Sequence, residues 1–242
     1  MDNPFETLQQ WLDESQHIVF FGGAGVSTES GIPDFRSVDG LYHQKYEHPP
    51  ETILSHSFFV RRPDAFYKFY RDKMIISGAK PNPAHLKLAQ LEAAGRLKAV
   101  ITQNIDGLHQ MAGSKEVLEL HGTVHRNYCM RCGTEYPISF IAESEDVPTC
   151  TECGGTVRPD VVLYEEGLDG DVMARAVSHL RQADMLIIGG TSLVVYPAAG
   201  LVNYYRGNKL VLINKGETSM HARANLSLSM AIGEVFSRMT VN

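Results

Sequence analysis

Short, unbroken apolar runs ending in glycine or polar residues recur along this 242-residue chain. His17-Ile18-Val19-Phe20-Phe21, Leu97 to Thr102, Val117-Leu118-Glu119-Leu120, Met185 to Ile188 and Leu210 to Ile213 are continuous rather than alternating. That is the pattern of strands buried on both faces of a parallel sheet. Between them the spacing becomes helical. Met1 to Gln16 places Phe5, Leu8, Trp11 and Leu12 on one face, and Pro83-Ala84-His85 opens a helix through Leu86, Leu88, Leu91 and Ala94 that Gly95 closes. Val172 to Ala183 and Ala231 to Met239 read as two more helices. Strand and helix therefore alternate, which predicts an α/β fold with a doubly wound, Rossmann-like parallel sheet. Val161-Val162-Leu163-Tyr164 reads as a short strand returning to that sheet.

The alternation is interrupted twice. From Leu41 to Ala79, Tyr42, Tyr46, Phe58, Phe59, Phe66, Tyr67, Phe69 and Tyr70 fall at helical spacing, as in the packed helices of an insertion rather than an aromatic binding box. The second interruption holds all four cysteines of the chain, as Cys129-x-x-Cys132 and Cys150-x-x-Cys153. Paired knuckles of this kind suit tetrahedral Zn2+, and four thiolates leave no open position, so the metal is structural. The expected division is a Rossmann-like domain from residues 1–36, 81–122 and 158–242, a helical insertion with cofactor loop at 37–80, and a small zinc-ribbon module at 123–157.

Composition narrows the function. The formal charge is -6 and no Lys/Arg run marks a groove for nucleic acid. The N-terminus has acids where a secretion signal would be basic and apolar, and the longest apolar stretch, Leu186 to Val202, is broken by Gly, Thr, Ser and Pro. A cytoplasmic, monomeric protein without membrane or nucleic-acid partners is expected.

Candidate chemistry gathers where the strands end. The first strand breaks into Gly22-Gly23-Ala24-Gly25, a turn whose backbone N–H groups suit a pyrophosphate. No long helix follows; a polar loop leads instead to Ile32-Pro33-Asp34-Phe35-Arg36. An ordinary dehydrogenase would place an acid at the next strand end, about 20 residues on, to hold the adenosine ribose. The residues from Tyr42 to Glu47 are no strand end, so nucleotide binding without hydride transfer is favoured. Gln103, Asn104 and Asp106 follow the second strand, with His109 one turn into the next helix, and Asp106 also suits a helix cap. Gly190-Thr191-Ser192 and Asn214-Lys215 close two further strands. His121 lies at the junction of the presumed domains, where clefts form, and an imidazole pKa near 6.5 suits a base at neutral pH. The other histidines read as satisfied structural residues.

With these motifs assembled, the chain resembles the sirtuin family of NAD-dependent protein lysine deacylases. The resemblance spans about His17 to Val235 and rests on GAGVS with PDFR, TQNID, HG, both Cys-x-x-Cys pairs, GTSLVV with Pro197, and Ile213-Asn214. It implies that Gly23, Ala24, Thr28, Asp34, Phe35, Arg36 and Gln103 line a cofactor pocket. Gly190, Thr191, Ser192, Asn214 and Lys215 would hold the adenosine half, with Ile232 over the adenine. Asn104, Ile105 and Asp106 would form the nicotinamide pocket and His121 the general base. Cys129, Cys132, Cys150 and Cys153 would bind one structural zinc ion. Val161, Val162, Leu163 and Tyr164 with Leu193, Val194 and Val195 would be the edges between which an acyl-lysine peptide adds as a strand.

The activity so implied removes acyl groups from protein lysines, consumes NAD as co-substrate, and yields nicotinamide, O-acyl-ADP-ribose and free lysine. Breaking the nicotinamide–ribose bond builds positive charge on the sugar, and the base then deprotonates a ribose hydroxyl. Two departures matter. Members commonly carry aromatic-Gly-Glu where this chain has Tyr164-Glu165-Glu166, which suggests a preference for basic residues beside the target lysine. The Tyr-x-x-Arg pair of succinyl- and malonyl-removing members has no equivalent in Phe66-Tyr67-Lys68-Phe69-Tyr70-Arg71-Asp72, so a neutral acyl group such as acetyl is expected. The competing reading is a protein ADP-ribosyltransferase using the same NAD pocket.

Overall fold

The computed structural model describes residues 3–35, 40 and 46–241. Along the chain the strands are β1 (Ile18–Gly22), β2 (Leu97–Thr102), β3 (Val117–Glu119), β4 (Gly122–Cys129), β5 (Glu135–Tyr136), β6 (Val157–Val161), β7 (Met185–Gly189), β8 (Leu210–Ile213) and β9 (Leu226–Leu228). The helices are α1 (Pro4–Glu14), α2 (Pro50–Ile53), α3 (His56–Arg61), α4 (Pro63–Lys73), α5 (Pro83–Ala93), α6 (Leu108–Met111), α7 (Ile138–Ala142), α8 (Gly170–Gln182) and α9 (Ile232–Ser237). The main sheet is parallel, in the order β3-β2-β1-β7-β8-β9. Connections run outward on either side of β1 and β7, which makes their C-terminal ends the topological switch point where such sheets bind ligands.

The continuous apolar runs divide by alternate residues into two cores. Val19, Phe21, Ile101, Leu186, Ile188 and Leu212 face α8 and the 3-10 stretch Ala198–Tyr204. Ile18, Phe20, Val100, Ile187, Val211 and Ile213 face α1, α5 and α9. Phe20 and Phe21 are completely buried, each such side chain contributing about 1.5–3 kcal/mol. Polar residues start the covering helices: Asn3 accepts from the Phe5 N–H, Asn82 from Ala84, and Asp169 from Val172.

A second sheet, β5-β4-β6, is antiparallel. It includes Val157–Val161, which pairs with β4, so the expected return of this region to the main sheet is wrong. Val161 and Leu163 are buried against the insertion, not inside the parallel sheet. The helical insertion and the cysteine module, expected as separate units, also share one core. Phe58, Phe59, Phe66, Tyr67 and Tyr70 pack with Val124, Cys129, Ile141, Cys150 and Val157, and the Tyr67 hydroxyl donates to the Val157 carbonyl. Edge strand β9 was not anticipated, because three residues of Leu-Ser-Leu carry too short a pattern. No helix among the described residues is long and apolar enough to cross a membrane.

Candidate active site

The glycine turn and the β7 turn touch directly. Gly22 and Gly189 are in register on neighbouring strands, and the Gly25 N–H donates to the Gly190 carbonyl at 2.8 Å. A Cβ on Gly25 would lie 2.8 Å from backbone atoms of Gly190, and Gly190 itself has φ +57°. Glycine is therefore required here for close approach of two backbones. Two 3-10 turns, Ala24–Val26 and Thr28–Ser30, replace the long helix of a dehydrogenase fold.

Across the cleft, the turn after β2 is held by a serine to which the sequence reading gave no role. Ser27, 1% exposed, donates from Oγ to Asp106 Oδ2 at 2.7 Å and accepts from Asn104 Nδ2 at 3.1 Å. Asp106 Oδ1 takes the Leu108 N–H at 2.9 Å, so the carboxylate is also the local cap the sequence suggested. Gly107, at φ +71°, turns the chain against the ring of His125, whose Nε2 contacts the Asp106 carbonyl at 3.0 Å. Asn104 and Asp106 are thus fixed in one hydrogen-bonded unit with Ser27.

Gln103 ties that unit to His121. Its side chain donates to Thr191 Oγ1 at 3.0 Å, and its carbonyl lies 3.0 Å from His121 Nδ1. A carbonyl only accepts, so Nδ1 carries the proton and Nε2 keeps its lone pair. Burial lowers the His121 pKa and the bond to Gln103 offsets part of that shift. The imidazole is therefore neutral at pH 7 and competent to accept a proton.

His109 behaves differently from expectation. It is 1% exposed, and among the described residues neither ring nitrogen has a hydrogen-bond partner; His85, its ring centroid 4.7 Å away, likewise has no partner there for Nε2. Burial depresses both pKa values; neighbouring His85 lowers His109 further, while Asp106 partly restores His85. His85 is partnered only through Nδ1, which accepts from the Asn82 N–H at 3.3 Å, so the expectation that these rings are fully satisfied is not met among the described residues.

One cavity of about 1340 Å3 runs along the seam between the sheets. Gly23, Ala24, Thr28, Asp34, Phe35, Gln103, Asn104, Ile105, Asp106 and His121 line it together with Gly190, Thr191, Ser192, Asn214, Lys215 and Ile232. Val161 to Tyr164 and Val195 form its other wall. Leu193 and Val194 do not line it: Leu193 is buried in the core at φ +54° and Val194 faces solvent. Arg36 lies outside the described residues. The volume exceeds that of a usual ligand pocket, about 300–1,000 Å3.

Cys129, Cys132, Cys150 and Cys153 place their sulfurs within 4.8 Å of one another. Separations of 3.4–3.6 Å between pairs suit four thiolates around Zn2+. The Tyr136 hydroxyl donates to Cys150 Sγ at 3.1 Å and the Arg131 N–H to Cys129 Sγ at 3.4 Å, the outer contacts that orient such ligands.

A switch-point cleft with a neutral imidazole at the seam and a closed four-thiolate centre define a dinucleotide-handling α/β protein with a structural metal module. Comparison with known proteins makes this specific. The Sir2 family model matches residues 23–197. An NAD-dependent protein deacetylase of Clostridium perfringens is 58% identical, with 99% of each chain covered. A Sir2 structure with a deacetylated p53 peptide and 3′-O-acetyl ADP ribose superposes with a TM-score of 0.89 at 42% identity, covering 97% of this chain and 96% of that one. Another, of Sir2 with a p53 peptide and NAD+, has a TM-score of 0.86 at 42% identity, with 98% and 97% covered. The chain belongs to the Sir2 family, the sirtuins.

Proposed function

We infer that this protein is an NAD-dependent protein deacetylase acting on acetyl-lysine in proteins and peptides. The observation that carries the reading is His121 at the seam, its Nδ1 committed to Gln103 and its Nε2 lone pair available, in a cavity shared by both strand-end turns. Relatives that turn over NAD or bind acetylated peptide match nearly the whole chain. NAD, when bound, supplies a labile nicotinamide–ribose bond and the sugar that receives the acyl group.

The chain's residues divide the remaining work. Backbone groups of the Gly23 turn and the polar groups of Thr191, Ser192 and Asn214 hold the dinucleotide. The Ser27-bridged pair Asn104 and Asp106 fixes the nicotinamide end. His121 Nε2 accepts the hydroxyl proton, and Val161 to Tyr164 with Val195 receive the peptide backbone. The Arg71 guanidinium donates to the carbonyls of Glu145 and Asp146, which leaves it committed to the small lobe and supports a neutral acyl group over a dicarboxylic one. Thiols that must stay reduced to hold a metal support a cytoplasmic location.

Mass spectrometry of acetyl-peptide incubated with NAD tests the assignment. O-acetyl-ADP-ribose is expected, whereas an ADP-ribosylated protein would make the enzyme a transferase instead. His121→Ala should abolish O-acetyl-ADP-ribose formation, and the wild-type acid limb of kcat should lie below the ordinary imidazole pKa of 6.5.

A further inference from the structure

The segment from Val161 to Glu166 is fastened on both sides. Toward the seam, the Val162 N–H donates to the His121 carbonyl at 3.0 Å. Toward the insertion, the Tyr164 N–H donates to the Leu54 carbonyl at 3.0 Å and the Tyr164 carbonyl accepts from the His56 N–H at 2.9 Å, a parallel bridge with Ser55. Glu166 adds a third set of contacts. Its carboxylate takes both guanidinium nitrogens of Arg158, the Leu163 N–H, and His56 Nδ1.

Glu165 lies between these anchors in an unusual conformation. Its φ is +78°, in the left-handed region that favours glycine and disfavours a side chain. Glu165 lies at the cavity wall, and its carboxylate is engaged by α3. Oε2 accepts the Ser57 N–H at 2.8 Å and Oε1 accepts the Ser57 hydroxyl at 3.0 Å, both at the first turn of α3. A left-handed non-glycine residue persists where its surroundings over-determine it, and here a two-point grip on α3 does so.

We propose that Glu165 is a positioning residue for the peptide substrate, a clamp that holds Val161–Tyr164 against the insertion so that their backbone is ordered before the acyl-lysine strand arrives. This rests on the deacetylase reading of the same cavity. Glycine at this position would take the same φ without strain but would remove the two bonds to α3, so the segment would be held less tightly and part of its ordering would be charged against peptide binding. The clamp is separate from the expected preference for basic residues beside the target lysine, because a carboxylate that accepts from Ser57 keeps its charge. Its effect falls on peptide affinity, since Glu165 touches neither His121 nor the Ser27–Asp106 unit.

Steady-state kinetics with one acetyl-lysine peptide, combined with hydrogen exchange, tests this. Glu165→Gly should raise the peptide KM roughly two- to tenfold, leave kcat and the KM for NAD unchanged, and keep the thermal midpoint at or above wild type because the strained φ is relieved. Glu165→Gln, which retains an acceptor oxygen, should recover part of the loss. Ser57→Ala should add nothing in the Glu165→Gly background. Faster amide exchange across Val161–Tyr164 in Glu165→Gly is expected with or without turnover. Unchanged peptide KM together with unchanged exchange overturns the clamp. Wild-type protein that leaves acetyl-peptide untouched overturns the deacetylase reading instead, and the exchange result then decides the clamp alone.

Discussion

Removing the Ser27 hydroxyl strands two groups at once. Among the described residues, the Asp106 carboxylate then keeps its bond from Leu108 alone, and the buried Asn104 amide loses its acceptor. An unsatisfied buried amide costs about 1–3 kcal/mol, so Ser27→Ala should lower the urea midpoint measurably. It should also depress kcat more than the peptide KM, because the displaced groups face the reacting end of the cavity. Gln103, Asn104, Asp106 and His121 were legible in the sequence because polar residues at the ends of parallel strands have few purely structural uses. Ser27 was not, since a serine inside a glycine turn looks like ordinary turn chemistry until its partner 79 positions away is seen. The buried pair His85 and His109 was equally hidden, for the burial of a single ring leaves no periodic trace.

That pair sets an acid limit on the fold. Both pKa values are lowered by burial, so the unfolded chain binds more protons than the native protein once pH falls below about 6.5. Stability should be flat above that value and decline as pH drops through the range below it. Urea titrations at pH 7.5 and 5 should show the decline, and His109→Phe should flatten it whatever the absolute midpoint. Glu166 acts in a separate, more acid window. Burial raises its pKa, but Arg158, the Leu163 N–H and His56 outweigh that and hold it at about 2. Its contribution is present above the ordinary carboxylate value of 4.5 and is lost only as pH falls toward 2.

Among elements, the contact between the two glycine turns sets the shape of one end of the cavity. In Gly25→Ala the new methyl meets Gly190 backbone at 2.8 Å, and backbone cannot swing aside as a side-chain end can. A loss of about 1–3 kcal/mol is expected, with a rise in the KM for NAD that exceeds any rise in the KM for peptide. Strands β1, β2, β7 and β8 were readable as continuous apolar runs because both faces are covered. Strands β4 and β5 were not, for Gly-Thr-Val-His-Arg-Asn-Tyr-Cys shows neither a clean alternation nor an apolar run. Strand β6 misled for the opposite reason: the apolar residues that follow it resemble a parallel strand, while the surface that buries them belongs to a different core.

At the scale of the molecule, the metal centre and the aromatic insertion stand or fall together. Cys129 and Cys150 are themselves members of the core that holds Phe59, Phe66 and Tyr70, so metal loss should be felt well beyond the knuckles. Chelation of the zinc-loaded protein, or Cys132→Ser, should abolish deacetylation and the near-ultraviolet dichroism of the insertion aromatics. The far-ultraviolet signal of the parallel sheet should largely survive, because its two cores are made of other residues.

The small lobe is not a bead on a single string. The chain enters it twice, once for the helices between Pro50 and Lys73 and again for the span from Gly122 to Val161. Any gape of the cleft must therefore bend several backbone connections in concert, which favours a twist of small amplitude over a wide swing about one hinge. A protease nick in one excursion would leave the other still tying the lobes, so a singly cut protein should travel as one particle on a sizing column until denaturant parts the fragments.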